Sequence, residues 1–186
     1  MRHLQNFIKI LSGRFNNVEQ YRDMQTQGME YPFAEHVNTV CNDKISGLSE
    51  DFSGVFLVEE SRYTERGKTH ASSHLFLFTG EGETVQLTSY EIPDGYDKSN
   101  FTYEHLRTVN YSDLKVSPKF TPAIYQLKNG VWEGGSVSQF SPALKFTMFE
   151  RFSEEWLEVS ECMEVNGKRT FGYNKPILYK RICSIV

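Results

Sequence analysis

Several segments of the chain carry polar groups where a packed interior would want apolar ones. In Val55 to Arg62 one face of an alternating segment reads Val55, Leu57, Glu59, Ser61 and the other Phe56, Val58, Glu60, Arg62. Both faces start apolar and end polar, which points at least one carboxylate inward. In His70 to Phe78 one face holds His70, Ser72, His74, Phe76 and Phe78. Glu150 follows Leu144, Phe146 and Met148 on one face, and Arg181 follows Ile177 and Tyr179. Trp132 shares a face with Gly134. One reading makes these the solvated ends of strands, since charged groups are seldom buried unpaired. The other is a ligand cavity lined by Glu59, Glu150, His74, Arg181 and the aromatics Tyr125, Trp132 and Tyr179. Mostly apolar walls with a few placed polar groups suit a small-molecule site.

Familiar catalytic signatures are missing. The sequence contains no GxSxG, HExxH, P-loop or GxGxxG. Gly80-Glu81-Gly82-Glu83 is acidic and reads as a hairpin loop. His36 and Cys41 fall on opposite faces of one strand, and Cys41 reads as core. His70 and His74 would stand roughly 13 Å apart on a straight strand, too far to share a metal, so no metal site is expected. Cys41, Cys162 and Cys183 are widely spaced and odd in number, which predicts reduced thiols in a cytoplasmic protein.

The elements that must position these residues are mainly strands. Leu4, Phe7, Ile8 and Leu11 mark one face of an N-terminal helix that Gly13 ends. A second helix starts after Asn16 or Asn17 as its cap and runs to about Gln27. Strands are expected over 33–41, 54–62, 69–79, 84–91, 123–127, 131–138, 144–151, 156–165, 168–173 and 177–182. Asn129-Gly130 and Asn166-Gly167 are tight hairpin turns. The polar, aromatic stretch from Pro93 to Pro118 reads as an excursion over one end of the sheet, with short helical turns near Tyr103 to Leu106 and Tyr111 to Leu114. Ten strands with short connections predict a mainly β fold. Closing them into an antiparallel up-and-down barrel removes the open edges, with the helices at one end.

Composition agrees. The 186 residues suit a single domain over 1–186. The aromatic share of 14% favours strands and a wide interior. A net charge of −4 argues against nucleic acid, which needs clustered Lys and Arg. The apolar runs are too short for a transmembrane helix, and Met1 to Asn6 lacks the apolar core of a secretory signal. No membrane partner is expected.

Two regions resemble a known family. The first is Leu11-Ser12-Gly13-Arg14-Phe15-Asn16-Asn17-Val18-Glu19-Gln20, followed by Tyr31-Pro32-Phe33-Ala34-Glu35-His36-Val37 and Val55-Phe56-Leu57-Val58-Glu59-Glu60. The second runs from Lys168 through Phe171-Gly172-Tyr173 to Arg181. In order and spacing they are similar to the T-type phycobiliprotein lyases, the CpcT/CpeT family. The resemblance implies a lipocalin-like β-barrel that binds an open-chain tetrapyrrole, a bilin such as phycoerythrobilin or phycocyanobilin. It implies delivery of that bilin to a cysteine of a phycobiliprotein β subunit as a thioether. The implied partners are the bilin, that β subunit and, as one candidate, a second copy of the chain in a homodimer.

The resemblance also assigns roles. Glu59 falls on the family's Glu, where a carboxylate holds the pyrrole N–H groups and favours a protonated bilin. The family's Pro-Tyr-Arg-Gln segment should fall near His70-Ala71-Ser72-Ser73, so its Tyr and Arg are replaced here. If that Arg holds a propionate, another cation must do so in this chain, and Arg62, Lys145 and Arg181 are the candidates. The expected site is then Glu59 and Glu150 as catalytic carboxylates. Arg62, Ser72, His74, Tyr125, Trp132, Lys145, Tyr179 and Arg181 are the expected ligand contacts. The alternative is a non-enzymatic lipocalin-like carrier of a bilin, a fatty acid or haem.

Overall fold

Asn129 and Gly130 have φ of 51° and 81°, and Asn166 and Gly167 have 50° and 74°. Both dipeptides form the two-residue turns that a right-twisted hairpin needs. Arg66-Gly67 adopts the same conformation, 49° and 74°, with an arginine in a position that usually takes Asn or Gly. These turns set the register of a large antiparallel sheet.

The computed structural model describes residues 2–185. In chain order its elements are α1 (Arg2–Leu11), β1 (Gly13–Asn16), α2 (Val18–Thr26), β2 (Phe33–Val40), β3 (Ile45–Ser46), β4 (Val55–Glu65), β5 (Lys68–Glu81) and β6 (Thr84–Tyr90). There follow β7 (Val109–Asn110), β8 (Ala123–Lys128), β9 (Val131–Gln139), β10 (Leu144–Phe152), β11 (Trp156–Val165), β12 (Lys168–Phe171) and β13 (Ile177–Cys183). No helix among the described residues is long and apolar enough to cross a membrane.

Ten strands close into an antiparallel up-and-down barrel, as expected for a lipocalin-like fold. β1, β2, β4, β5, β6, β8, β9, β10, β11 and β13 each pair with the next, and β13 returns to β1. The membership of the ring differs from the sequence expectation, although the number agrees. β12 is outside the ring and pairs only with β11. β1 is inside it, and four residues between two helices are too few to show a period. Gly13 makes that closure possible. Its φ is +147°, and a Cβ there would meet the Arg181 side chain at 2.4 Å and the Cys183 carbonyl oxygen at 2.7 Å.

The second helix begins where expected, but the two asparagines divide the work. Asn16 Oδ1 accepts the Val18 N–H at 3.2 Å. Asn17, fully buried, ties the helix to β2 instead: its Nδ2 donates to the Pro32 carbonyl, and its Oδ1 accepts the Ala34 N–H at 2.7 Å.

Two apolar clusters lie on opposite sides of the barrel wall. Inside, α1 plugs one end. Phe7 is completely buried, and its ring lies 5.0 Å from those of Trp132 and Phe152, 5.1 Å from Tyr125 and 5.2 Å from Phe78. Outside, Phe56, Val58, Leu75 and Leu77 pack with Cys41, Ile45, Phe101 and Leu106. The polar excursion therefore covers the outer face of β4 and β5, a correction to its expected place over one end. This explains why Val55 to Val58 is apolar on both faces: Leu57 belongs to the inner cluster, Phe56 and Val58 to the outer. Both of its expected helical turns are present, one at Tyr111–Asp113 and one over 103–105, where the Leu106 N–H donates to the Thr102 carbonyl at 2.9 Å.

Removing the plug should unmake the solid half of the barrel. Phe7→Ala is expected to destabilise the fold by about 3–5 kcal/mol in chemical denaturation. A loss under about 1 kcal/mol would show that α1 is not part of the core.

Candidate functional site

The end opposite α1 is open. There the strands bound a cavity of about 290 Å³. The inward alternation of β4 brings Glu59, Ser61 and Tyr63 to it, β5 brings His70, Ser72, His74 and Phe76, and β6 brings Leu87 and Ser89. On the far wall β10 contributes Phe146 and Met148, and β11 contributes Glu161 and Met163. Phe120, Phe140 and Phe146 form an aromatic collar, with ring centroids 5.1 Å apart for Phe120 and Phe140 and 6.0 Å for the other two pairs.

Glu59 accepts a hydrogen bond from Ser61 Oγ at 3.1 Å, and His36 Nε2 lies 3.5 Å from the same oxygen. His74, across the ladder from Glu59, is 3.0 Å from Ser72 Oγ through Nε2, and its ring stacks on Phe76. Glu161 has the Tyr63 hydroxyl beside it. Glu150 sits one inward position below Met148 and accepts the Tyr125 hydroxyl. Gly134 separates those two residues in register, and a Cβ there would meet the Ile124 carbonyl oxygen at 2.2 Å. A bare glycine is what lets Tyr125 reach across β9 to Glu150.

Burial raises the three carboxyls of this region above their usual range. Burial pushes Glu59 up to about 7, against the hydrogen bond from Ser61. Burial, then repulsion from Glu59 and Glu150, pushes Glu161 up to about 8. Glu150 is raised chiefly by burial. The imidazoles move the other way, again through burial: His36 falls to about 4 and His74 to about 3. At neutral pH the imidazoles are uncharged, and the carboxyls can act either as N–H acceptors or as proton donors. Two buried polar atoms on this side, His36 Nδ1 and Tyr179 Oη, make no hydrogen bond of good geometry, although Asn38 lies beside His36 and Tyr63 beside Tyr179.

The residues singled out in the sequence divide between inside and outside. Glu59, Ser72 and His74 line the cavity, while Glu150, Tyr125 and Tyr179 lie in the barrel interior next to it. Trp132 does not line it. It packs on Phe7 in the plugged half, where its Nε1–H donates to Asn6 Oδ1 at 3.1 Å. None of the three candidate cations lines the cavity. Arg62 lies on the outer face of β4, beside an exterior cleft with Glu35 and Tyr103. Lys145 pairs with Glu164 on the exterior. Arg181 donates to the carbonyls of Ile10, Ser12 and Glu154 and stacks on Phe15 at 4.5 Å. It closes the C-terminal end of α1, where carbonyls lack helical partners.

Sequence reasoning missed Glu161, Tyr63 and the collar phenylalanines. Glu161 had a signal: Leu157, Val159, Glu161 and Met163 share the inner face of β11. Lys98 also lines the cavity, from the excursion rather than from a strand. It had no signal, because no periodicity places a loop residue over a barrel mouth.

Raised carboxyls and lowered imidazoles have opposite consequences for stability. The folded protein keeps carboxyl protons that the unfolded chain releases near pH 4.5. Stability from this source is therefore greatest below 4.5 and is lost as pH rises to about 7 for Glu59 and about 8 for Glu161. The imidazoles cost stability only below 6.5, as pH falls towards about 4 and about 3. Between pH 6.5 and 8 the unfolding free energy of the free protein should fall, by about 1.4 kcal/mol per pH unit for each retained proton, and the melting temperature should fall with it. Glu161→Gln should flatten that slope. A parent protein whose melting temperature is constant or rises over this range would contradict the assignment.

No protein-family model matches the sequence, and no curated protein matches it. Among solved structures, the fold is similar to that of the T-type phycobiliprotein lyase CpeT from Prochlorococcus phage P-HM1. The TM-score is 0.60 over 97% of this chain and 98% of that one, at 11% identity. At that identity the likeness speaks for architecture alone: this chain has the barrel fold of a T-type phycobiliprotein lyase.

Proposed function

We propose that the chain, acting as one domain in the cytoplasm, binds a bilin in the barrel cavity. We further propose that it assists attachment of that bilin to a cysteine of a phycobiliprotein β subunit. The observation that carries this reading is the pairing of Glu59 and Glu161 beneath an aromatic collar inside a closed barrel. A bilin is flat, conjugated and rich in pyrrole N–H groups. The collar offers faces and edges for the conjugated plane. Glu59 and Glu161 offer acceptors for the N–H groups, and a carboxylate close to them favours the protonated ligand. The likeness in fold to a phycobiliprotein lyase supports the same reading.

The chemistry needs little more from this chain than orientation. None of the residues lining the cavity is a cysteine: Cys41 belongs to the outer cluster, Cys162 alternates outward between Glu161 and Met163 on β11, and Cys183 is exposed. The attacking thiol is therefore assigned to the acceptor. Its S–H adds across a carbon–carbon double bond of the bilin. A C–S and a C–H bond form, and no redox partner is needed. Glu59 and Glu161, with pKa values raised to about 7 and about 8, can exchange protons with the ligand, and the barrel wall shields it from bulk water.

Titration with phycoerythrobilin or phycocyanobilin should give a shifted, sharpened absorption band, and an added β subunit should become covalently coloured. Glu59→Gln should weaken the protonated-bilin band and reduce affinity about tenfold, the scale of one charge-assisted hydrogen bond. A band without transfer to the β subunit would reduce the role to bilin carrier. No band, with displacement of a fluorescent lipid instead, would favour the carrier of another apolar ligand.

A further inference from the structure

The cavity is polar in one direction. Its inner walls carry Glu59 and Glu161, with Glu150 deeper, and no Lys or Arg other than Lys98 lines it among the described residues. Lys98 comes from the excursion that covers β4 and β5, and its position is fixed from both sides. On one side the Asp97 carboxylate accepts the N–H groups of Ser99 and Asn100, while Asn100 Oδ1 accepts the Asp97 N–H at 2.8 Å. On the other, Phe101 is completely buried in the outer cluster, and its N–H donates to the Asp97 carbonyl at 2.9 Å. The turn between those anchors presents Lys98 to the cavity. Lys98 forms no ion pair with any described carboxylate within 4.0 Å, although it acts electrostatically on Glu59, Glu161 and His74. A cation facing an acid-lined chamber without being neutralised there is available to an anionic group of a ligand.

We propose that Lys98 recognises a carboxylate of the ligand. The ligand would then lie along the barrel axis, its N–H-rich part against Glu59 and Glu161 and its acid group outward at Lys98. This rests on the reading of the cavity as a bilin site. It assigns the propionate-binding role to a residue of the excursion, in place of Arg62, Lys145 and Arg181, whose side chains are engaged or face elsewhere. It also makes the ligand class specific: an amphipathic molecule with N–H donors in its body and an acid at one edge.

The test compares a bilin with its own dimethyl ester, which keeps the conjugated plane and removes the negative charges. The free acid should bind the parent protein about five- to tenfold more tightly than the ester, the range of a charge-assisted contact at a wet rim. Lys98→Ala should erase that preference by weakening the acid alone, and Lys98→Arg should retain it. Unchanged ester affinity in Lys98→Ala doubles as the control that the cavity is intact. Equal affinity of acid and ester for the parent would overturn the assignment while leaving the bilin reading in place. So would a Lys98→Ala change that weakens both ligands alike. Failure of both acid and ester to bind would overturn the bilin reading and this inference with it.

Discussion

The packing of Phe7 against Phe78, Tyr125, Trp132 and Phe152 determines which half of the barrel is solid. A ten-stranded ring is too wide for its own side chains to fill throughout. Here one helix supplies the missing volume at one end only. Along β4, β5 and β11 the apolar inward positions face that plug, and the polar ones face the other end. The change from Leu57 to Glu59 along β4, and from Val159 to Glu161 along β11, marks the boundary between packed core and chamber. Arg181 supports the plug by bonding the carbonyls at the end of α1, and Gly13 lets β1 close the ring beside it. The cavity thus follows from where the helix stops.

The chamber's chemistry follows from the same boundary. Just above a dry aromatic layer, a carboxyl has little solvent to stabilise its charge, and three such groups repel one another. Glu59 is raised to about 7 and Glu161 to about 8, and His36 and His74 stay neutral. A site arranged in this way is poorly served by water. It is well served by a ligand that brings N–H donors and positive charge in a flat apolar frame. His36 Nδ1 and Tyr179 Oη, buried without a well-formed hydrogen bond, lie in the same region.

Much of the architecture could be read from residue order because it rests on local rules. Asn-Gly turns and period-two alternation locate the hairpins, and i, i+3, i+4 spacing locates α1. What could not be read depends on distant contacts. β1 is too short to have a pattern and exists because β2 and β13 flank it. β12 has a strand's composition but finds only β11 to pair with. The direction of a cation is similarly non-local: Arg62, Lys145 and Arg181 look alike in sequence, and pairing, register and helix-end carbonyls draw all three away from the chamber. Glu59 was legible because its face turns polar midway along a strand. Glu161 obeyed the same rule on β11. Lys98 obeyed none, since a loop folded over the outside of the wall brings it back to the rim.

In a crystal structure of the protein with a bilin, the tetrapyrrole should lie inside the barrel, its plane against Phe120, Phe140 and Phe146 and its pyrrole nitrogens towards Glu59 and Glu161. A bilin bound on the outer wall, with the chamber between β4, β5, β10 and β11 empty, would overturn the proposed site.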